Sequence, residues 1–161
     1  MRPLNLRKAI LLILTIGISI TLFAERGKMT KNKTTMTIGM TSVYVKDINK
    51  AFKFYTEILG FIEVLYQPES NLAIVASPQD KKGTSLLLEP NDNPIAKKYQ
   101  KEIYQAGLPA LVLNVEDIQY EYKRLKNLGV KFAKKPSETD WGILAIFDDS
   151  CGNLLQLFQN N

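Results

Sequence analysis

Few side chains in this sequence are able to carry out covalent or metal chemistry. The 161 residues include no histidine and one cysteine, Cys151. Without histidine, a Ser-His-Asp triad, a Cys-His pair and a histidine-ligated zinc or iron site are all excluded. A single cysteine cannot form an internal disulfide or a cysteine-rich metal site. Nothing basic stands beside Cys151 in the sequence to activate its thiol, so catalysis by this residue is not expected.

Four other side chains suit the contact of a ligand. Glu89 stands at the end of a predicted strand, where a carboxylate can act as a base or face solvent. Trp141 lies in a predicted loop over 137–142, where it can form an aromatic wall over a flat ligand or pack at the edge of a sheet. Tyr44 and Asn114 occupy matching positions, each three residues before an aspartate. Residue alternation along the strands predicts that both point to the same side of the molecule.

The elements that would position these side chains follow from an internal repeat. The sequence VYVKDI at Val43–Ile48 is echoed by LNVEDI at Leu113–Ile118. Apolar residues spaced three and four apart follow each copy, which predicts an amphipathic helix. Each helix is predicted to begin after an aspartate N-cap and to end at a glycine that is free to adopt positive φ. These residues are Asp47 and Gly60 in the first copy, and Asp117 and Gly129 in the second.

Three short strands are predicted after each helix, so that each copy has the order βαβββ. A sheet of four short strands with one helix cannot bury its own inner face, so we expect the two copies to pack together around a cavity. A short helix over Ile95–Gln105 is predicted between them. In the second module Pro136 separates the first predicted strand from the next. The predicted strands are Phe61–Tyr66, Leu72–Ser77 and Ser85–Glu89, then Val130–Ala133, Ile143–Phe147 and Leu154–Phe158.

Two such modules, with the motifs VYVKDI, FYTEILGF and GNLLQL, resemble the vicinal oxygen chelate superfamily. That superfamily includes glyoxalases, bleomycin-resistance proteins, fosfomycin-resistance enzymes and extradiol dioxygenases. The resemblance extends from Thr37 to Phe158. It implies an α+β fold in which two βαβββ modules form a cup-shaped mixed sheet. Because such sheets leave edges open, we also expect a homodimer.

The resemblance also identifies where a metal would be held. In metal-using members, each module supplies one ligand from its first strand and one from its last strand. The corresponding positions here are Met40, Leu87, Ala110 and Gln156. One amide and three apolar side chains cannot hold Zn²⁺, Mg²⁺ or Fe²⁺, which need three or four N, O or S donors. We therefore expect no metal and no cofactor, with Gln156 and Met40 on the cup side as contacts for a ligand.

The N-terminal residues differ in composition from the remainder. A basic stretch and an apolar run within 1–24 predict a signal peptide or membrane anchor, followed by a polar linker over 25–35. This leader would make the protein exported or membrane-tethered. Alternatively, translation starts at Met29 or Met36 and the protein is cytoplasmic, because the residues before Met29 can be encoded entirely by purines, as in a ribosome-binding site.

The remaining residues, 36–161, form the predicted domain: module one at 36–90, a linker at 91–109 and module two at 110–161. Its 14 Lys and Arg against 15 Asp and Glu give no support for nucleic-acid binding. We predict metal-independent binding of a small organic molecule in the cup. Two alternatives stay open: a glyoxalase- or dioxygenase-like enzyme with a relocated active site, and a non-catalytic interaction protein tethered to the envelope. The predicted ligand contacts are Gln156, Trp141, Tyr44, Asn114, Met40 and Glu89.

Overall fold

A computed structural model describes residues 35–161 of the chain. The predicted leader at 1–24 and all but the last residue of the predicted linker at 25–35 lie outside the described residues. Residues Ile38–Asn161 make up one compact unit. Among the helices that the structure describes, none has the length and apolar character needed to cross a membrane.

Module one follows the predicted order of one strand, one helix and three further strands. Its sheet has the order β1-β4-β3-β2, in which β1 and β4 run parallel and the other pairs run antiparallel. Helix α1 continues as a π-helical turn over Phe54–Ile58, and a 3₁₀ turn over Pro68–Ser70 separates β2 from β3. The elements are β1 Met40–Val45, α1 Ile48–Lys53, β2 Ile62–Gln67, β3 Leu72–Ala76 and β4 Ser85–Pro90.

Module two repeats this arrangement after the linker helix α2, Pro94–Gln105. Its sheet has the order β5-β8-β7-β6, again with the first pair parallel. The predicted α+β fold of two βαβββ modules is therefore confirmed, and each module has its own four-stranded sheet. The elements are β5 Pro109–Asn114, α3 Ile118–Asn127, β6 Phe132–Thr139, β7 Gly142–Asp148 and β8 Leu154–Asn160.

The helix ends are those that the sequence predicts. The side chain of Asp47 accepts a hydrogen bond from the Lys50 N–H at 3.0 Å, and that of Asp117 accepts one from the Tyr120 N–H at 2.9 Å. These bonds satisfy backbone donors of the first helical turn, which have no partner within the helix. Gly60 closes the first helix with a φ of 80°, a conformation that costs glycine little.

Strand β6 corrects one sequence-based prediction. The sequence predicts a short strand over Val130–Ala133 with a break at Pro136, but the strand covers Phe132–Thr139 and includes this proline. β6 is the outermost strand of its sheet, and its register shifts between Lys134 and Ser137. Proline is tolerated at such an edge because its missing N–H interrupts no ladder. The predicted loop over 137–142 is consequently reduced to a tight turn.

One hydrophobic core joins the helix-covered sides of both modules. It includes Tyr55 and Val75 from module one, with Leu125 and Phe147 from module two, all almost fully buried. At the same junction the Arg124 Nη1 donates a hydrogen bond of 2.7 Å to the carbonyl of Ile58. The core accordingly uses one face of each sheet, and it leaves the opposite faces for other contacts.

Candidate functional site

We call the side of each sheet that is turned away from the core its open face. The open face of module one carries three of the predicted site residues. In β1, Met40 and Tyr44 alternate with the buried Val43 and Val45, and therefore point away from the core. Tyr44 lies directly opposite Glu89 in the parallel pairing of β1 with β4. The structure thus brings Tyr44 and Glu89 together at one end of the strands.

The open face of module two carries Gln156 and Asn114. Gln156 is flanked by Val112 on one side and by Ile146 on the other, and all three belong to one row across the sheet. Asn114 stands in the next row, opposite Phe158. The side-chain amide of Gln156 makes no hydrogen bond to any residue in 35–161. It is a polar group with free hydrogen-bonding capacity in a largely apolar surface.

Trp141 lies apart from the other predicted site residues. It occupies the turn between β6 and β7, with 82% of its surface exposed. Its backbone N–H donates to the Thr139 Oγ1 at 3.3 Å, and Gly142 then starts β7. Gly142, the residue after Trp141, pairs with Asn160, four residues along β8 from Gln156, so Trp141 lies at the end of the module-two sheet.

The residues at the four positions that hold metal ligands in metal-using members of the superfamily cannot bind a divalent metal ion in this chain. Leu87 lies opposite Ser42, and Gln156 lies opposite Val112. The residues paired with Met40 and Leu87, which are Ser85 and Ser42, add two neutral hydroxyls to the side-chain amide of Gln156. They add no carboxylate, imidazole or thiolate, the donors that hold zinc and similar ions in proteins. Within the described part of the chain, no group of three His, Cys, Asp or Glu side chains is placed to hold a metal ion.

A buried polar cluster at the junction of the modules was not anticipated from the sequence. The Asp149 Oδ1 accepts the backbone N–H groups of Cys151 and Asn153, at 2.7 and 2.8 Å. Its Oδ2 accepts the Asn153 Nδ2 at 2.7 Å and faces the Tyr55 hydroxyl at 3.4 Å. Burial raises the pKa of the Asp149 carboxyl, and the hydrogen bonds from Asn153 and Cys151 offset part of that increase.

The same cluster holds the strand that carries Tyr44. The Tyr44 carbonyl accepts the Gln100 Nε2 at 2.6 Å and the Asn153 Nδ2 at 2.9 Å. Gln100, a buried residue of α2, also accepts the Asn91 Nδ2 at 2.7 Å. The linker helix and the turn of module two together fix the end of β1, so the cluster positions the Tyr44 side chain on the open face.

Cys151 lies inside this cluster and is not an accessible nucleophile. Its side chain is buried, and burial, followed by the nearby Asp149 carboxylate, raises the pKa of the thiol to about 12. A thiol with that pKa is almost wholly protonated at neutral pH, and nucleophilic attack requires the thiolate.

Comparison with known proteins identifies the family. Residues 37–157 match the model of the Glyoxalase/Bleomycin resistance protein/Dioxygenase superfamily. A relative from Bacillus subtilis (strain 168), the uncharacterized protein YurT, is 48% identical over 126 residues, which cover 77% of this chain and 99% of YurT. An uncharacterized protein of Shewanella frigidimarina (strain NCIMB 400) is 36% identical over 74% of this chain and 90% of its own length.

Two solved structures are similar in both fold and sequence. The crystal structure of UcmS2 has a TM-score of 0.66 and 25% identity, over 78% of this chain and 98% of UcmS2. That of TnmS3, described as an antibiotic binding protein from Streptomyces sp. CB03234, has a TM-score of 0.62 and 28% identity, over 80% of this chain and all of TnmS3. With its two βαβββ modules and a family match over most of its length, this chain belongs to the glyoxalase/bleomycin resistance protein/dioxygenase superfamily.

Proposed function

We propose that the protein binds a small organic molecule against the open faces of its two sheets, without a metal ion. The observation that carries this proposal is the exposure of apolar side chains on both faces. Met40 is 48% exposed and Val112 is 52% exposed, although each belongs to a strand whose other face lies in the core. Val112 belongs to one row of the module-two sheet with Gln156 and Ile146, and exposed apolar surface on a sheet face of this kind is typical of a ligand or protein interface. Tyr44 and Gln156 supply polar groups that can orient a ligand there.

The family relationship supports binding, and the residue chemistry favours binding over catalysis. TnmS3 is described as an antibiotic binding protein. In the present chain the donor positions of the metal-dependent enzymes hold no set of metal ligands, and the thiol of Cys151 has a pKa of about 12. Histidine is absent from the whole sequence. We therefore place the protein with the binding members of the superfamily.

A titration with antibiotics tests this function. The probes are bleomycin and a panel of aromatic antibiotics, each added in EDTA while the melting temperature is followed. We expect at least one probe to raise the melting temperature in the presence of EDTA, since a ligand that binds only the folded state stabilises it. Gln156→Leu should weaken that probe's affinity by about two- to tenfold, the value of one hydrogen bond.

The matched control for this titration is Gln105→Leu, at the exposed end of α2, which should leave the affinity unchanged. Two results contradict the proposal. One is a panel in which no probe stabilises the protein. The other is stabilisation that EDTA abolishes and a divalent metal restores, which would favour the alternative of a metal-dependent enzyme.

We further propose that two copies of the chain associate through these open faces. The helix-covered faces of the sheets are buried in the core of the single chain, whereas the open face of module two, which includes Val112, remains exposed. A second copy would bury this apolar surface and enclose the ligand between the copies. Light scattering after gel filtration is expected to give a dimer for the natural protein and a monomer for Val112→Lys. Association would bury the unpaired charge of the lysine in the interface between the two copies, which is unfavourable.

The matched control for association is Leu128→Lys, which changes a side chain of similar exposure, 49%, at the end of α3 and outside the open faces. We expect this variant to remain dimeric. A monomeric natural protein, or a dimer that Val112→Lys leaves intact, would contradict association through this face.

A further inference from the structure

A groove at one end of the module-one face has a wall made by the linker helix. Strands β1 and β4 form its floor, and the first turns of α2 stand beside them. Its volume is about 460 Å³. The lining residues are Tyr44, Glu89, Pro90, Asn93, Ile95, Ala96 and Tyr99. We call this the Tyr44–Glu89–Tyr99 groove.

Two aromatic rings and one carboxylate are the chemically distinctive groups in the groove. The rings of Tyr44 and Tyr99 are 6.5 Å apart and nearly perpendicular, at 76°. Glu89 lies opposite Tyr44 in the sheet and is half-buried. Its carboxylate has neither an ion pair nor a side-chain hydrogen bond within residues 35–161. No lysine or arginine lines the groove in the described part of the chain.

This combination favours a positively charged organic group. A half-buried carboxylate has lost part of its hydration and gains energy from a cation placed nearby. Aromatic faces attract alkylammonium and guanidinium groups through the negative potential above the ring. A bare divalent metal is not favoured, because it takes six or more oxygen ligands and Glu89 supplies one carboxylate. Pro90 and Ile95 add apolar surface for the alkyl part of such a group.

We propose that the Tyr44–Glu89–Tyr99 groove binds the ammonium or guanidinium group of an organic ligand. Glu89 neutralises the charge, and the two tyrosine rings contact the alkyl substituents that surround it. The groove is continuous with the module-one face, where Leu87 and Ile74 are paired next to the Glu89 row. The assignment of the remainder of the ligand to that face rests on the proposed function, whereas the cation site is formed by one chain alone.

The experiment titrates the full chain with choline and with 3,3-dimethyl-1-butanol, the uncharged isostere of choline, and follows the tyrosine resonances by NMR. We expect choline to shift the resonances of Tyr44 and Tyr99 and to bind at least about tenfold more tightly than the alcohol. Added salt should weaken the binding of choline and leave that of the alcohol unchanged.

Three variants localise the effect. Glu89→Gln keeps the shape of the side chain and removes its charge, and should weaken choline binding at least about tenfold. Tyr99→Leu, which removes one ring, should weaken it about fivefold. Glu102→Gln is the control, since it removes an exposed carboxylate from the same helix outside the groove, and binding should not change.

Equal affinity for choline and for the alcohol, or unchanged choline binding in Glu89→Gln, would overturn the proposal. A weaker complex of Glu102→Gln, with Glu89→Gln unaffected, would place the cation elsewhere on α2 and would overturn it as well. The failure of the proposed function is a separate result. If no antibiotic stabilises the protein while choline binding depends on Glu89, then the cation site stands and the binding of a larger ligand along the open faces does not.

Discussion

Asp149→Ala is expected to lower the free energy of unfolding by about 3 kcal/mol, because the substitution leaves several buried donors without an acceptor. The Asp149 carboxylate is fully buried and accepts the backbone N–H groups of Cys151 and Asn153 together with the side-chain amide of Asn153. Cys151 and Asn153 are themselves buried, with 2% and 4% of their surface exposed, so bulk solvent does not supply a substitute acceptor. Urea denaturation of the natural protein and the variant measures the difference.

The control for this substitution is Asp140→Ala, in the exposed turn before β7, which should cost less than about 0.5 kcal/mol. Asp149→Asn retains one acceptor oxygen and should fall between the two. A cost below about 1 kcal/mol for Asp149→Ala would mean that the turn from Asp149 to Asn153 holds its shape without the carboxylate.

The same residue gives stability a specific dependence on pH. Burial raises the pKa of the Asp149 carboxyl above its ordinary value of 3.8, so the folded protein keeps this proton to a higher pH than the unfolded chain. The contribution of Asp149 is therefore greatest below pH 3.8, and it falls as the pH rises from there to the folded pKa. Subtracting the pH profile of Asp149→Asn from that of the natural protein should isolate this decrease.

The order of elements could be predicted from the sequence because it depends on local signals. Asp47 and Asp117 mark the helix starts through their own side-chain hydrogen bonds, and Gly60 and Gly129 mark the ends through positive φ. Strand β6 could not be delimited in this way. The effect of Pro136 depends on whether its strand is central or at an edge, and that is a property of the assembled sheet.

Some residues of the candidate site could likewise be placed from the sequence, and others could not. The alternation of residues along a strand suffices to place Tyr44 with Met40, and Gln156 with Phe158, on one face each. The sequence of α2 does not show which of its sides meets the sheets, because the buried residues are Ala96 and Gln100, whereas the larger apolar residue Ile95 is exposed. The contribution of Tyr99 to the groove and of Gln100 to the junction therefore depends on the path of the linker, which only the tertiary structure provides.

Gly142→Ala is expected to lower the free energy of unfolding by about 4 kcal/mol, more than Asp149→Ala. Gly142 begins β7 with a φ of 146°, and an added Cβ would collide with the Gln159 carbonyl oxygen in the neighbouring strand. A backbone atom inside a paired sheet cannot move aside as a flexible side chain does. The strain of the φ angle and the clash therefore add together.

Two other glycines separate these contributions. Gly60→Ala carries the strain of a positive φ, at 80°, but its Cβ would meet nothing within 4 Å, so about 1 to 2 kcal/mol is expected. Gly39→Ala has neither problem and should be nearly neutral. Thermal denaturation of the three variants should rank them in this order. A cost for Gly142→Ala no greater than that for Gly60→Ala would contradict this prediction, since it would mean that β7 and β8 separate freely at this end. The turn between β6 and β7 would then not hold the Trp141 side chain at a fixed place beside the open face of module two.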